Sequence, residues 1–364
     1  MDLTTGFWRF KVLAAAVDLG LFSALSRLGE ADAGAIAAEL RLHPRPARML
    51  LACCTALGLL VRDNGSYRNE EVAERFLVEG QPHYFGGFVQ YSDRHGYPGW
   101  GRLQEALREN RPTTWDPDVQ ESAFVTTDPD ILESFWEAMF TVSSFTGDAL
   151  AGAYDFTAHR RLLDVGGGTG AFPVALCRRH PHLRATVLDL PHITEMTREK
   201  VASLGLAHAI ETHGGNFLTD PALPSGHDVI LLSMILHDWD EETNRRLLEK
   251  CHAALPADGA VLICELVLDD DESGPASAAL MGLNMLVETR SGHNYTYAEY
   301  HRWLTDAGFA DVSVVELDAA GANAVVVGRK SGQAVSAEVP APAERGSDQW
   351  MPHSAPVVPR SPVL

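Results

Sequence analysis

Three short segments carry residues whose types and spacing could do chemistry. The first is Leu162-Leu163-Asp164-Val165-Gly166-Gly167-Gly168-Thr169-Gly170, an apolar run that ends in glycines and continues into a helical pattern. Glycines at such a turn permit positive φ and let a ligand approach the backbone closely. Nineteen residues beyond Gly170, the run Val187-Leu188 ends in Asp189, followed by Leu190. In doubly wound folds an acid at that place accepts hydrogen bonds from ribose hydroxyls. Together the two features point to a nucleoside-containing cofactor. Gly166-x-Gly168-x-x-Ala171 also satisfies the dinucleotide pattern, so on the residues alone a nicotinamide or flavin stays open.

The second segment is Ile235-Leu236-His237-Asp238-Trp239, directly after the apolar run Val229–Ser233. His237 therefore stands just beyond a strand's carboxyl end, where sites form in open α/β sheets. The third is Ile263-Cys264-Glu265-Leu266, a carboxylate inside an apolar strand. Acids are almost never fully buried unless paired. If Glu265 reaches the same sheet edge, it can orient and polarise the His237 imidazole. The bland alternatives are a structural histidine and an exposed strand-end acid.

These residues need a sheet to hold them. From Arg161 onward, strand-like runs alternate with helical ones: 162–165, 185–189, 229–233, 261–268, 312–317 and 324–327. The alternation predicts an α/β, Rossmann-like doubly wound sheet with an antiparallel edge. Residues 7–60 read as mostly helical, with Asp32 placed to cap a helix over 33–40 and Pro44 near the start of another over 45–59. A hairpin follows over 61–67, marked by Asn64-Gly65. Helix, helix, helix, hairpin is a winged-helix order. Residues 130–150 read as one long amphipathic helix with Phe135, Met139 and Val142 on one face, which could be a core stripe or the wall of a pocket. The boundaries expected are 1–100 for a dimerisation domain, 101–155 for a helical linker, 156–330 for the cofactor domain and 331–364 for a disordered tail.

Composition narrows the function classes. The 29 Lys and Arg against 49 Asp and Glu leave a net charge of −20, a field that repels phosphate backbones and anionic lipid. No nucleic-acid or membrane partner is expected, and no apolar run approaches the roughly 18 residues of a membrane span. The five cysteines are odd in number, lack zinc-type spacing and suit a reducing, cytoplasmic setting. No metal is expected as cofactor.

In order and spacing over residues 7–328, the glycine segment, His237-Asp238-Trp239 and Glu265 resemble the S-adenosylmethionine (SAM)-dependent O-methyltransferases of small molecules, such as the caffeate, hydroxyindole and actinobacterial natural-product enzymes. The resemblance implies a homodimer formed through the N-terminal module. It implies that Asp164, Gly166, Gly168, Asp189, Leu190, Gly215, Asn216, Phe217, Ser143, Ser233, Asp238 and Trp239 hold SAM, which leaves as S-adenosylhomocysteine (SAH). It makes His237 the general base and Glu265 its orienting acid. Asn294 stands where the family carries a second acid, and Asn216 where it often carries Asp. Phe135, Met139, Met234, Met281, Asn284 and Met285 are implied to line an acceptor pocket, and His293 is a polar addition to it.

The activity implied is methyl transfer to a hydroxyl of a secondary-metabolite acceptor. A phenol near pKa 10 and an imidazole near 6.5 differ by about 3.5 units, which favours a phenolic hydroxyl over an aliphatic one. The replacement at Asn294 keeps C-methylation of an activated carbon, a keto-acid enzyme with His237 and His293 on a metal, and non-methyl chemistry open. Outside this class stand a nicotinamide-dependent oxidoreductase and a winged-helix regulator. The first leaves His237-Asp238-Trp239 unexplained, and the second lacks a basic recognition helix.

Overall fold

The computed structural model describes residues 2–120 and 129–331, and of residues 129–134 the backbone only. Beyond residue 331, the tail expected at 331–364 lies outside the described residues.

The N-terminal module is built as its sequence pattern predicts, with one addition. Asp32 accepts from the Ala35 N–H at 2.8 Å and starts the helix Ala33–Glu39. Pro44 occupies the first turn of the helix Pro44–Ala56, where its missing N–H costs nothing. The hairpin strands are β2 (Leu60–Asp63) and β3 (Ser66–Asn69), joined by Asn64 and Gly65, both at positive φ. The addition is the two-residue strand β1 (Ala31–Asp32), which pairs with β3 and makes a three-stranded sheet in the order β1-β3-β2. It is too short for any periodicity to reveal.

The cofactor half holds seven strands: β4 (Arg161–Val165), β5 (Arg184–Asp189), β6 (Ile210–Gly214), β7 (Val229–Ser233), β8 (Ala260–Glu265), β9 (Asp311–Glu316) and β10 (Ala324–Arg329). Their order is β6-β5-β4-β7-β8-β10-β9. Five run parallel, while β10 is antiparallel to both of its neighbours. The reversed strand is therefore one in from the edge rather than the edge itself. The sequence reading missed β6, because Ile210-Glu211-Thr212-His213-Gly214 is an edge strand with a single buried apolar residue.

Successive residues of β4 feed two separate cores. Leu162 packs with Phe156, Phe172 and Leu231, and Leu163 with Leu188, Leu232 and Trp303. A sheet covered on both faces in this way is read as a near-continuous apolar run rather than as alternation. The carboxyl ends of β4, β5, β7 and β8 consequently share one rim, where the strands' last residues Val165, Asp189, Ser233 and Glu265 lie.

The helix Tyr297–Asp306 clamps the second core below that rim. Thr296 accepts from the Glu299 N–H at 3.2 Å, and Glu299 accepts from the Thr296 N–H at 2.8 Å, a reciprocal capping box. Thr296→Ala is expected to lower unfolding free energy by about 1 kcal/mol in denaturant titration, without altering the cofactor affinity of the folded protein.

Candidate active site

The rim opens into a cavity of about 850 Å³. Its floor is the glycine turn after β4. Gly166, Gly168 and Gly170 all take positive φ. Asp189 fixes the turn from the next strand: Oδ2 accepts from the Gly168 N–H at 2.8 Å and Oδ1 from the Leu190 N–H at 2.7 Å. Burial pushes the Asp189 carboxyl up, against those two donors. Asp164 is 1 % exposed, and burial and the nearby Asp189 raise its carboxyl to about 8.

The glycines are steric requirements. A Cβ at Gly168 would lie 2.5 Å from Cζ3 of Trp136, and one at Gly166 would lie 2.5 Å from Cδ1 of Ile235 and 3.3 Å from Phe217. Phe217 in turn meets Trp239 edge-on, with ring centroids 6.2 Å apart. Gly168→Ala adds that overlap to a backbone conformation L-residues rarely adopt. It is expected to weaken nucleoside binding about tenfold or more by calorimetry.

Several buried polar atoms in the cavity wall have no hydrogen-bond partner among the described residues: Trp136 Nε1, Asp164 Oδ2, Ser233 Oγ and Trp239 Nε1. Orphaned polar atoms are rare inside proteins and call for a ligand or water. Four of them around a glycine cradle fit a polar nucleoside, and an apolar ligand would leave them unsatisfied.

His237 is positioned by backbone and carboxylate together. After β7, Met234 takes φ 55 and the chain tightens into the single turn Leu236–Asp238. Asn244 donates to the Leu236 carbonyl at 2.8 Å and to the Trp239 carbonyl at 3.2 Å, fixing the turn from the following helix. Glu265, fully buried at the end of β8, accepts with Oε1 from the N–H groups of Ile235 and Leu236. Its Oε2 lies 2.7 Å from His237 Nδ1. The pair acts chiefly through charge, the Glu265 carboxylate favouring the imidazolium. On the other side of the ring, Nε2 is 3.6 Å from Asp238 Oδ1. Burial alone would depress the imidazole, but the Glu265 and Asp238 carboxylates outweigh it and raise it to about 9. Burial likewise lifts Asp238 to about 7.

Most of the expected residues converge. Ser143, Asp164, Gly166, Gly168, Asp189, Leu190, Gly215, Asn216, Phe217, Ser233, Asp238 and Trp239 line the cavity on the glycine and rim sides. Phe135, Met139, Met234, Met281, Asn284 and Met285 line it as well, beside His237. Two expectations need correction. His293 is not in the cavity wall; it is exposed and lies against Tyr295, ring centroids 4.0 Å apart, so it does not join His237 as a metal ligand pair. Asn294 is buried and its amide donates to the Leu266 carbonyl, and among the described residues it makes no hydrogen bond to His237; Asp238 stands at the second imidazole nitrogen instead. Asn216, in the cavity lining as expected, accepts with Oδ1 from the Leu218 N–H at 2.9 Å and keeps a second lone pair for a ligand.

With this geometry in hand, the comparisons with known proteins decide the family. An O-methyltransferase domain model matches residues 100–310, and an O-methyltransferase dimerisation domain model matches residues 1–79. The chain belongs to the O-methyltransferase family. It is 51% identical to 3-hydroxy-5-methyl-1-naphthoate 3-O-methyltransferase of Streptomyces sahachiroi, over 91% of this chain and 94% of that protein. It is 37% identical to the tetracenomycin polyketide synthesis 8-O-methyl transferase TcmO of Streptomyces glaucescens, over 91% and 96%. Among solved structures, human N-acetylserotonin methyltransferase in complex with SAM superposes with a TM-score of 0.81 at 31% identity, covering 91% of this chain and 96% of that one.

Some of this O-methyltransferase's cavity was not foreseen from its sequence. Phe10, Phe85, Phe88, Tyr91, Tyr97 and Trp100 form an aromatic wall contributed by the N-terminal half. The aromatic density of 84–100 was the available signal, and a π-helical turn over Ser92–Gly96, a feature often found at functional sites, contributes Ser92 and Gly96 to the cavity lining. Trp136 and Glu288 were also missed. Glu288 follows Asn284 by one helical turn, so its side chain shares the Asn284 face.

Proposed function

We propose that this chain is a SAM-dependent O-methyltransferase of secondary metabolism that methylates a phenolic hydroxyl of a small aromatic acceptor, with His237 as general base. The observation that carries the reading is the His237–Glu265 pair, 2.7 Å apart, at the rim where a glycine cradle meets an apolar cavity. When bound, SAM supplies an electrophilic methyl group on a sulfonium. The protein's own residues do the rest. Gly166 and Gly168 leave room for the cofactor, Asp189 orders their turn, and Phe217 with Trp239 offers aromatic faces to an adenine. Aromatic and methionine side chains exclude water and align a flat acceptor.

His237 Nε2 takes the phenolic proton. A buried imidazole raised to about 9 comes close to a phenol near 10, so full transfer costs only on the order of 1 kcal/mol. An unperturbed imidazole would cost about 5 kcal/mol. Glu265 thus performs two tasks: it ties down the Ile235–Leu236 backbone and strengthens the base. An aliphatic alcohol remains several units out of reach, which restricts the acceptor to acidic hydroxyls.

Calorimetric titration with SAH, with NADH in parallel, tests the cofactor class. Stoichiometric binding of SAH and none of NADH is expected, and the reverse result overturns the reading. The N-terminal helix Asp2–Asp18 exposes Leu3, Phe7 and Trp8, apolar surface that supports assembly as a homodimer. Light scattering should then give twice the 39.6 kDa of one chain, and a 39.6 kDa species at micromolar concentration would contradict it. No helix among the described residues is long and apolar enough to cross a membrane. The free, exposed thiol of Cys53 supports action in the reducing cytoplasm.

A further inference from the structure

The helix Ala276–Glu288 turns one face to the cavity, carrying Met281, Asn284, Met285 and Glu288. Two of these are polar and one turn apart. Trp100 Nε1 donates to Asn284 Oδ1 at 2.8 Å. An indole N–H only donates, so the oxygen of Asn284 must face it, and the amide NH₂ is left for a ligand. Glu288 ends the helix, at the negative end of its dipole, where a further negative charge is disfavoured. Its Oε2 accepts from Thr114 Oγ1 at 2.9 Å, and among the described residues no Lys or Arg forms an ion pair with it. Burial holds its carboxyl above the ordinary range.

The wider cavity repeats this imbalance. Among the described lining residues, four carboxyls (Asp164, Asp189, Asp238 and Glu288) face one imidazole and no Lys or Arg. A carboxylate set beside Glu288 would lose hydration and meet like charge with no Lys or Arg among the described lining residues, since the His237 imidazole is already paired with Glu265. A carboxamide would instead set its carbonyl on the Asn284 NH₂ and its N–H on a Glu288 oxygen.

We propose that Glu288, with Asn284, is the specificity-determining pair of this acceptor site, reading an uncharged carboxamide-type substituent and rejecting a free carboxylate. The proposal rests on the aromatic-acceptor reading above and narrows it. The test uses the full chain saturated with SAH, titrated calorimetrically at neutral pH with 3-hydroxy-1-naphthamide and with 3-hydroxy-1-naphthoate. The amide should bind at least about tenfold more tightly, the scale of one like-charge contact. In Glu288→Gln the gap should close by about tenfold, through a gain in carboxylate affinity. Equal or tighter binding of the carboxylate by the wild type overturns the proposal, as does failure of the amide to bind or an unchanged gap in a variant that still binds SAH. The wild-type comparison decides on its own if the variant does not fold. Intact SAH binding with a carboxylate preference sinks only this inference, whereas loss of SAH binding strikes the methyltransferase reading itself.

Discussion

Replacing His237 by Ala lowers turnover on a phenolic acceptor by about 10²–10⁴-fold, while SAH affinity stays within about threefold. The separation follows from the site. The ring lies at the acceptor side of the rim, between Glu265 and Asp238, and the cradle made by Gly166, Gly168 and Asp189 is built without it. The truncation also leaves the buried Glu265 without its cation. Its Oε1 keeps the Ile235 and Leu236 N–H groups, so the loop holds its course. Product formation at saturating SAM, measured beside SAH titration, checks both halves. Equal turnover by variant and wild type would remove His237 from the chemistry.

Glu265→Gln gives the second large effect, read in the pH profile. In the native protein the two carboxylates hold the imidazole at about 9, and only the neutral ring accepts a proton. kcat/KM therefore rises with pH and levels off near 9. Removing the Glu265 charge leaves burial opposed only by Asp238, so the ascending limb moves to lower pH. The plateau drops about 10–100-fold because the remaining base is weaker. Gln keeps an oxygen for the two backbone donors, so the variant should fold. The stability sign runs the same way. A histidine pKa raised above its unfolded value adds stability that is complete below about 6.5 and is lost as pH climbs through about 9. Glu265→Gln should accordingly lose stability at pH 6 and little at pH 10. A limb that stays in place would show that Glu265 serves only the backbone.

The parts of this account that the sequence foretold are those with local signatures. The glycine run, Asp189 at the next strand end and the capped helix after Asp32 each depend on neighbours in the chain, and each was placed correctly. The alternation from Arg161 onward likewise announced the doubly wound sheet. What escaped depends on residues far apart in sequence. Trp136 belongs to the cavity because helix Pro129–Ala153 crosses the glycine turn, and nothing beside it in the chain says so. Glu288 gains its character from Thr114 and from the lack of a Lys or Arg partner among the described residues, both tertiary facts. Asn294 and His293 were misplaced for a related reason: Asn294 turns to the Leu266 carbonyl and His293 to the Tyr295 ring, and a one-dimensional motif cannot show which side chains turn toward His237.

The central claim is oxygen methylation by a neutral His237, and one measurement addresses it most directly. The protein is incubated with methyl-¹³C-SAM and a 3-hydroxynaphthyl acceptor, and the product is examined by mass spectrometry and ¹³C NMR. The account predicts a gain of one methyl in place of one hydrogen, a methoxy carbon resonance, and loss of that product in His237→Ala. A labelled methyl on ring carbon, or an acceptor recovered unchanged from SAM-bound protein, would contradict it.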